Sequence, residues 1–194
     1  MVKTLHIYLF RHGQTTYNRD KRFTGTHNPP LTLLGKKQAK IIAKKLKSKK
    51  FQVAFYTKLK RSKQTLKEVL KYHPECKILK KDDKIIERNY GLLNGTTHED
   101  YIKKHGLKSF NKIHRNFYER PPKGESFADV EKRVSSFIAS LKKLMKKDKI
   151  NVAISAHGNS IRLFRKIMKK SSIKEACSWK IPYDKVFHYK IKLN

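Results

Sequence analysis

Acidic side chains are scarce in this chain. Its 194 residues hold 15 Asp and Glu against 48 Lys and Arg, a formal charge of +33. A field of that sign draws small anions toward a cleft and speeds their arrival. It also promotes non-specific adhesion to nucleic acid or anionic membrane. There is no arginine-rich tail, aromatic RNA-binding signature or zinc-finger spacing, so no specific nucleic-acid partner is expected. Most lysines, such as Lys142-Lys143 and Lys146-Lys147, read as solvated helix faces. Cysteine is almost missing. Cys76 and Cys177 lie far apart without a CxxC partner, which excludes a disulfide framework and suits free thiols in a reducing compartment. No apolar run approaches the ~20 residues that cross a bilayer. Val2 to Phe10 is too short, and too soon followed by charge, for a signal peptide. These absences predict a soluble, cytoplasmic protein with no membrane partner. Oligomeric state is not legible.

The apolar residues are 38% of the chain and fall in periodic runs, enough for a packed core in a single domain over 1–194. Leu5 to Phe10 reads as a strand running into Arg11-His12-Gly13. A polar loop, Gln14 to Leu31, follows. Thr32 then caps a helix with Ala39, Ile42, Ala43 and Leu46 on one face. Phe51–Tyr56 is a second strand, and Leu59 to Ser62 leads into a helix carrying Leu66, Val69 and Leu70. A short strand is expected around Cys76 to Leu79, with Ile85-Ile86 either continuing it or entering a loop. Asn89 to Thr97 reads as loop and His98 to Arg120 as one or two short helices, ended by Pro121-Pro122. Ser126 and Asp129 form a capping box for a long helix striped by Phe127, Val130, Val134, Phe137, Ile138, Leu141, Leu144 and Met145. The strand Ile150–Ser155, a helix from Asn159, and an alternating edge strand over Val186–Ile191 complete the chain. Strands alternating with helices predict an α/β fold, a three-layer αβα sandwich around a mostly parallel sheet.

The chemistry-bearing residues fall at the ends of those elements. Arg11 and His12 follow the first strand, Arg61 opens the helix after the second, Glu87 follows the third apolar run, and His157 follows the strand at 150–155. A parallel sheet gathers such junctions on one edge. Two imidazoles, two guanidiniums and one carboxylate suit phosphoryl transfer. Guanidiniums match phosphoryl oxygens, and an imidazole can form a covalent phosphohistidine. On this reading His12 is the nucleophile, with Gly13 allowing close backbone approach, and Glu87 is general acid and base. Arg11, Arg61 and a protonated His157 carry the charge that a metal would otherwise supply, so no metal is expected. Taken singly, each residue has a plain structural reading. His12 or His157 could be a surface or core histidine, Arg61 a solvated helix residue, Glu87 a partner for Arg88, and Gly13 and Gly158 turn glycines.

Several stretches resemble the histidine phosphatase superfamily, and within it the 2,3-bisphosphoglycerate-dependent phosphoglycerate mutases. They are Arg11-His12-Gly13-Gln14-Thr15-Thr16-Tyr17-Asn18, Phe23-Thr24-Gly25, Leu59-Lys60-Arg61-Ser62, Glu87-Arg88-Asn89-Tyr90-Gly91 and Ala156-His157-Gly158-Asn159-Ser160. The resemblance implies a phosphoglycerate mutase-like fold with His12 phosphorylated and Glu87 moving the proton. It implies a phosphate pocket of Arg11, Arg61 and His157. Gly13, Gln14, Thr15, Asn18, Thr24, Gly25, Arg88, Asn89, Tyr90, Gly158 and Asn159 would contact or shape the site. The implied substrate is a small phosphorylated molecule, with 2,3-bisphosphoglycerate as primer. The chain departs from the family pattern in three ways. His98 stands where a lysine is usual, His114-Arg115 where a basic pair is usual, and Pro121 to Ser126 is a short linker of the phosphatase kind. The implied activity is therefore mutase, with a phosphomonoesterase using the same His12 as the alternative. A non-catalytic nucleic-acid binder is a third reading.

Overall fold

The computed structural model describes residues 4–193. Its centre is a five-stranded sheet in the order β3-β2-β4-β1-β5. The strands are β1 (Thr4–Arg11), β2 (Val53–Tyr56), β3 (Ile78–Lys81), β4 (Val152–Ala156) and β5 (Val186–Lys192). The first four run parallel, and β5 closes one edge antiparallel to β1. Both faces are covered, which is why β1 and β4 are apolar at nearly every position. Leu5, Ile7 and Leu9 of β1, with Val152 and Ile154 of β4, pack under α5 (Phe127–Asp148) and α6 (Gly158–Lys169). Tyr8, Phe10, Ala54 and Ala153 face the other way, onto α2 (Leu33–Leu46) and α3 (Lys60–Leu70). The three-layer αβα sandwich is as expected.

The long helix α5 is specified from both ends. Ser126 and Asp129 form a reciprocal capping box at its start, and Lys149, in the left-handed region at φ 53, ends it. Its stripe is buried from Phe127 to Met145, except that Leu144 is only partly covered. Each of the large side chains buried there contributes roughly 1.5–3 kcal/mol relative to exposure. β5 alternates as expected, with Phe187 and Ile191 buried and His188 and Lys190 exposed.

Other local expectations change. The loop after His12 contains a single-turn helix, α1 (Thr16–Arg19), started by a capping box between Thr15 and Asn18. Cys76 lies outside β3, whose four residues are all exposed, and Ile85 closes a 3-10 turn, Asp83–Ile85, instead of extending the strand. His98–Arg115 forms one helix, α4, broken at Gly106, which sits at φ 78. That conformation suits only glycine comfortably, so the break is written into the sequence. A short helix, α7 (Ile173–Ser178), was not expected. Its signal is local, with Ser172 accepting from the Glu175 amide, as an S-x-x-E start predicts.

Candidate active site

The strand register brings the two histidines together. Arg11 pairs with Ala156 at the carboxyl ends of β1 and β4, and the His12 amide donates to the Ala156 carbonyl at 3.1 Å. The imidazoles leave these ends side by side, with ring centroids 5.1 Å apart. Gly13 turns the chain hard against α2. A Cβ there would meet the Gly35 carbonyl oxygen at 2.1 Å, a clash with backbone that no rotamer relieves. The Gly13 amide is held by Thr65 Oγ1 at 3.0 Å.

The tautomer of His12 follows from its partners. Nδ1 lies 2.7 Å from the Gly13 carbonyl oxygen, which can only accept, so Nδ1 carries the hydrogen. Nε2 lies 3.2 Å from Arg61 Nε, which can only donate, so Nε2 presents its lone pair. Burial, then the Arg61 and Arg11 guanidiniums, hold the His12 pKa well below the ordinary histidine value. The result is a neutral imidazole with Nε2 ready as nucleophile.

Arg61 is fixed by two further carbonyls, His27 at 2.6 Å from Nη1 and Gly25 at 2.8 Å from Nη2. Arg11 donates from Nη1 to the Ile181 carbonyl at 2.8 Å, and its guanidinium lies over the Tyr183 ring at 3.9 Å. His157 is buried and held neutral by burial first, then by Arg61. The protonated His157 expected from the sequence is therefore corrected, because a second charge beside two guanidiniums in a dry site is disfavoured. Thr57 Oγ1 accepts from the Leu59 amide at 3.4 Å and lies 2.8 Å from His157 Nε2; in the tautomer where Thr57 gives the hydrogen, Nδ1 carries the ring's own. Arg11 Nε, a donor, and the His157 Nδ1 ring nitrogen are buried without a hydrogen-bond partner. Two such orphaned nitrogens beside a lone-pair imidazole are what a phosphoryl group would satisfy in that tautomer.

Glu87 Oε1 accepts from the Arg88 amide at 2.8 Å and the Asn159 amide at 3.0 Å. No hydrogen bond among the described residues engages its other oxygen, and the side chain lines a cleft of about 500 Å³. Arg11, Gly158, Asn159 and Tyr90 share that near end with it. Asn18, Thr24 and Gly25 border it, while Phe23, His98, His114 and Arg115 form the far wall. The His98 and His114 rings are 5.2 Å apart. Burial foremost takes their pKa values down to about 4 and about 3, so both are neutral at pH 7.

Some expected contact residues turn away from the cleft. Arg88 is fully buried, its guanidinium spent on the carbonyls of Glu125, Ile113 and Glu119 at 2.6–3.0 Å. It braces the 88–125 region instead of facing a ligand. Asn89 caps its own turn, accepting from the Gly91 amide and from Asn94 Nδ2. Thr15 caps α1, and Gln14 hydrogen-bonds Gln38 and Thr32. Sequence reasoning missed Thr57, Lys21, Arg22, Arg162 and the Trp179–Tyr183 segment that walls the cleft. Only the placement of Arg162 three residues after Asn159, on the same helix face, was readable. Among the described residues, no three His, Cys, Asp or Glu side chains are grouped to hold a metal ion. No helix among them is long and apolar enough to cross a membrane.

Fold and site together define an α/β protein suited to phosphoryl chemistry, with a buried neutral imidazole set among guanidiniums at the carboxyl end of a parallel sheet. The family model described as histidine phosphatase superfamily (branch 1) matches residues 7–192, and the chain belongs to that superfamily. It is 36% identical over 162 residues to a phosphoglycerate mutase of Schizosaccharomyces pombe, covering 80% of this chain and 75% of that protein. A 2,3-bisphosphoglycerate-dependent phosphoglycerate mutase of Methylorubrum populi is 31% identical over 191 residues, covering 96% and 89%. Among solved structures, a phosphoglycerate mutase from Bacillus anthracis superposes with a TM-score of 0.81 at 22% identity, over 98% of this chain and 89% of that one. The alpha-ribazole phosphatase from Shigella flexneri gives 0.81 at 21% identity, over 98% and 91%. Such distant structures establish the phosphoglycerate mutase-like fold and leave the acceptor of the phosphoryl group to the site.

Proposed function

We propose that the protein is a phosphoglycerate mutase, interconverting 2-phosphoglycerate and 3-phosphoglycerate through phosphorylated His12. The observation that carries this reading is the charge layout of the cleft. Arg11 stands at the His12 end, Lys21, Arg22, Arg115, Arg162 and Lys180 stand elsewhere on the wall, and Glu87 is the one carboxylate. That layout fits a small molecule bearing two anionic groups, and the mutase names of the curated relatives agree with it. The free hydroxyl of 3-phosphoglycerate takes the phosphoryl group from primed His12 as the P–Nε2 bond breaks, and Glu87 takes that hydroxyl's proton. The bound bisphosphate then turns, Nε2 attacks its other phosphorus as that P–O bond breaks, and Glu87 returns the proton to the leaving oxygen. Arg11 Nε–H and His157 Nδ1–H hold the equatorial oxygens throughout. 2,3-Bisphosphoglycerate, bound in the same cleft, supplies the first phosphoryl group.

A second reading, a phosphomonoesterase in which water takes the phosphoryl group, is favoured by the far wall, where two of the three ionisable side chains are neutral and Arg115 alone is charged. His98 and His114 offer no fixed cation there to hold a second phosphate. A coupled assay separates the two. With 3-phosphoglycerate and catalytic 2,3-bisphosphoglycerate, a mutase forms 2-phosphoglycerate with little free phosphate. Phosphate release from many monoesters without isomerisation would replace the mutase reading by the phosphatase one.

A further inference from the structure

Arg162 is a buried cation of the cleft wall whose three guanidinium nitrogens are all engaged by the protein itself. It is 6% exposed, lines the cleft, and has no carboxylate partner among the described ion pairs. Burial foremost, then Arg115 of like sign, lowers its pKa to about 10, with Glu87 acting the other way and Arg11 adding to the repulsion. A guanidinium kept in such a place costs stability, so its contacts should repay it. Nε donates to the Ala176 carbonyl at 3.1 Å and Nη2 to the Trp179 carbonyl at 2.8 Å. The third contact is a short hydrogen bond from Nη1 to Asn159 Oδ1.

We propose that Arg162 is a positioning residue that locks the Asn159 amide so that its donor end serves the cleft. The proposal rests on the phosphoryl-transfer reading above. A side-chain amide has an accepting and a donating end, and either can be turned to a given side. Arg162 can only donate, so it takes Oδ1. Nδ2 then gives one hydrogen to the Tyr90 hydroxyl at 3.2 Å. Its second hydrogen has no acceptor among the described residues and is left for an anionic oxygen of the ligand. Without Arg162 the amide can turn over, accept from Tyr90, and set a carbonyl lone pair against that oxygen. Arg162 therefore fixes the sign of one hydrogen bond to the substrate without touching the substrate.

The test is a double-mutant cycle between Arg162→Gln and Asn159→Ala, read by calorimetric titration with inorganic phosphate and by thermal melting. Arg162→Gln is expected to weaken phosphate about tenfold alone and to add little in the Asn159→Ala background, because the two act as one unit. An equal loss in both backgrounds, or none in either, would overturn the proposal. Because Arg162→Gln also frees two carbonyls and can destabilise the fold, Asn159→Asp supplies an independent arm. It keeps an acceptor for Arg162 but presents no donor to the ligand and adds a like charge, so phosphate should bind at least as weakly as to Asn159→Ala. Wild-type phosphate affinity in Asn159→Asp would refute the locked-donor idea. If the unaltered protein takes up no phosphate at all, the phosphoryl-transfer reading falls, and this proposal with it.

Discussion

Behind the Arg11 end of the cleft, the two histidines stand at the end of the sheet's own hydrogen-bond ladder. His12 and His157 leave paired strands, and each imidazole or guanidinium there is fixed by a carbonyl, a hydroxyl or a neighbour. At the far end, His98, His114 and Arg115 stand on α4, a helix interrupted at Gly106 that packs its Tyr101 and Ile113 against Phe23 and Tyr90 in a small hydrophobic cluster. Arg115 reaches one carbonyl, that of Cys177, at 3.4 Å. The near end is preorganised by backbone pairing that residues elsewhere cannot shift. The far end is set by side-chain packing, which substitution alters readily. The first part of the reaction therefore belongs to the scaffold, and the choice of acceptor to its attachments.

The largest test of that division is His12→Ala, which should cut turnover on the order of 10⁴-fold or more and abolish acid-labile phosphoenzyme, with the far end intact. Residual turnover near the wild-type rate would move the nucleophile elsewhere. A smaller effect is expected from His98→Lys combined with His114→Arg, which places two cations on the far wall. This variant should bind 2,3-bisphosphoglycerate about tenfold more tightly, while the first-order rate of His12 phosphorylation stays as it was. If that rate also changed, the two ends would not be separable. The gentlest test is pH. The unfolded chain protonates its histidines near the ordinary value of 6.5, whereas folded His98 and His114 wait until about 4 and about 3. Acid therefore favours the unfolded state, and stability should be full above pH 6.5 and fall as pH drops toward 4. Thermal melts of the wild type and of His98→Gln with His114→Gln should converge as pH rises and diverge in acid, the variant losing less. Parallel curves would mean that the far histidines carry none of this dependence, leaving it to buried His12 and His157.

The same contrast explains what the sequence made legible. Two apolar runs, each ending in His-Gly, marked β1 and β4, and a parallel sheet then required their ends to meet, so the position of His12 beside His157 followed. Arg61 and Glu87 were readable because each follows an apolar run. Arg88 and Asn89 are assigned to contact the ligand or shape its site by the family resemblance of the Glu87–Gly91 stretch. Their side chains instead satisfy carbonyls and amides of the turn itself, which a linear reading cannot distinguish. Thr57 and the Trp179–Tyr183 wall depend on contacts across about a hundred residues or more, and no local pattern announces them. The neutrality of His98, His114 and His157 is likewise a property of burial, invisible until the packing is known.

The exposed strand β3 ends the sheet with an open ladder, and Ile78 and Leu79 on it are each 50% exposed. Such an edge is a template on which a second copy can add its own strand. Lys80 and Lys81 sit on that edge, and every approaching copy carries the same +33. Repulsion between like molecules thus guards this open flank. Its range shrinks to about 8 Å at physiological ionic strength and further in concentrated salt. The abundance of lysine, which says little about the reaction, bears on whether the molecule stays dispersed while performing it.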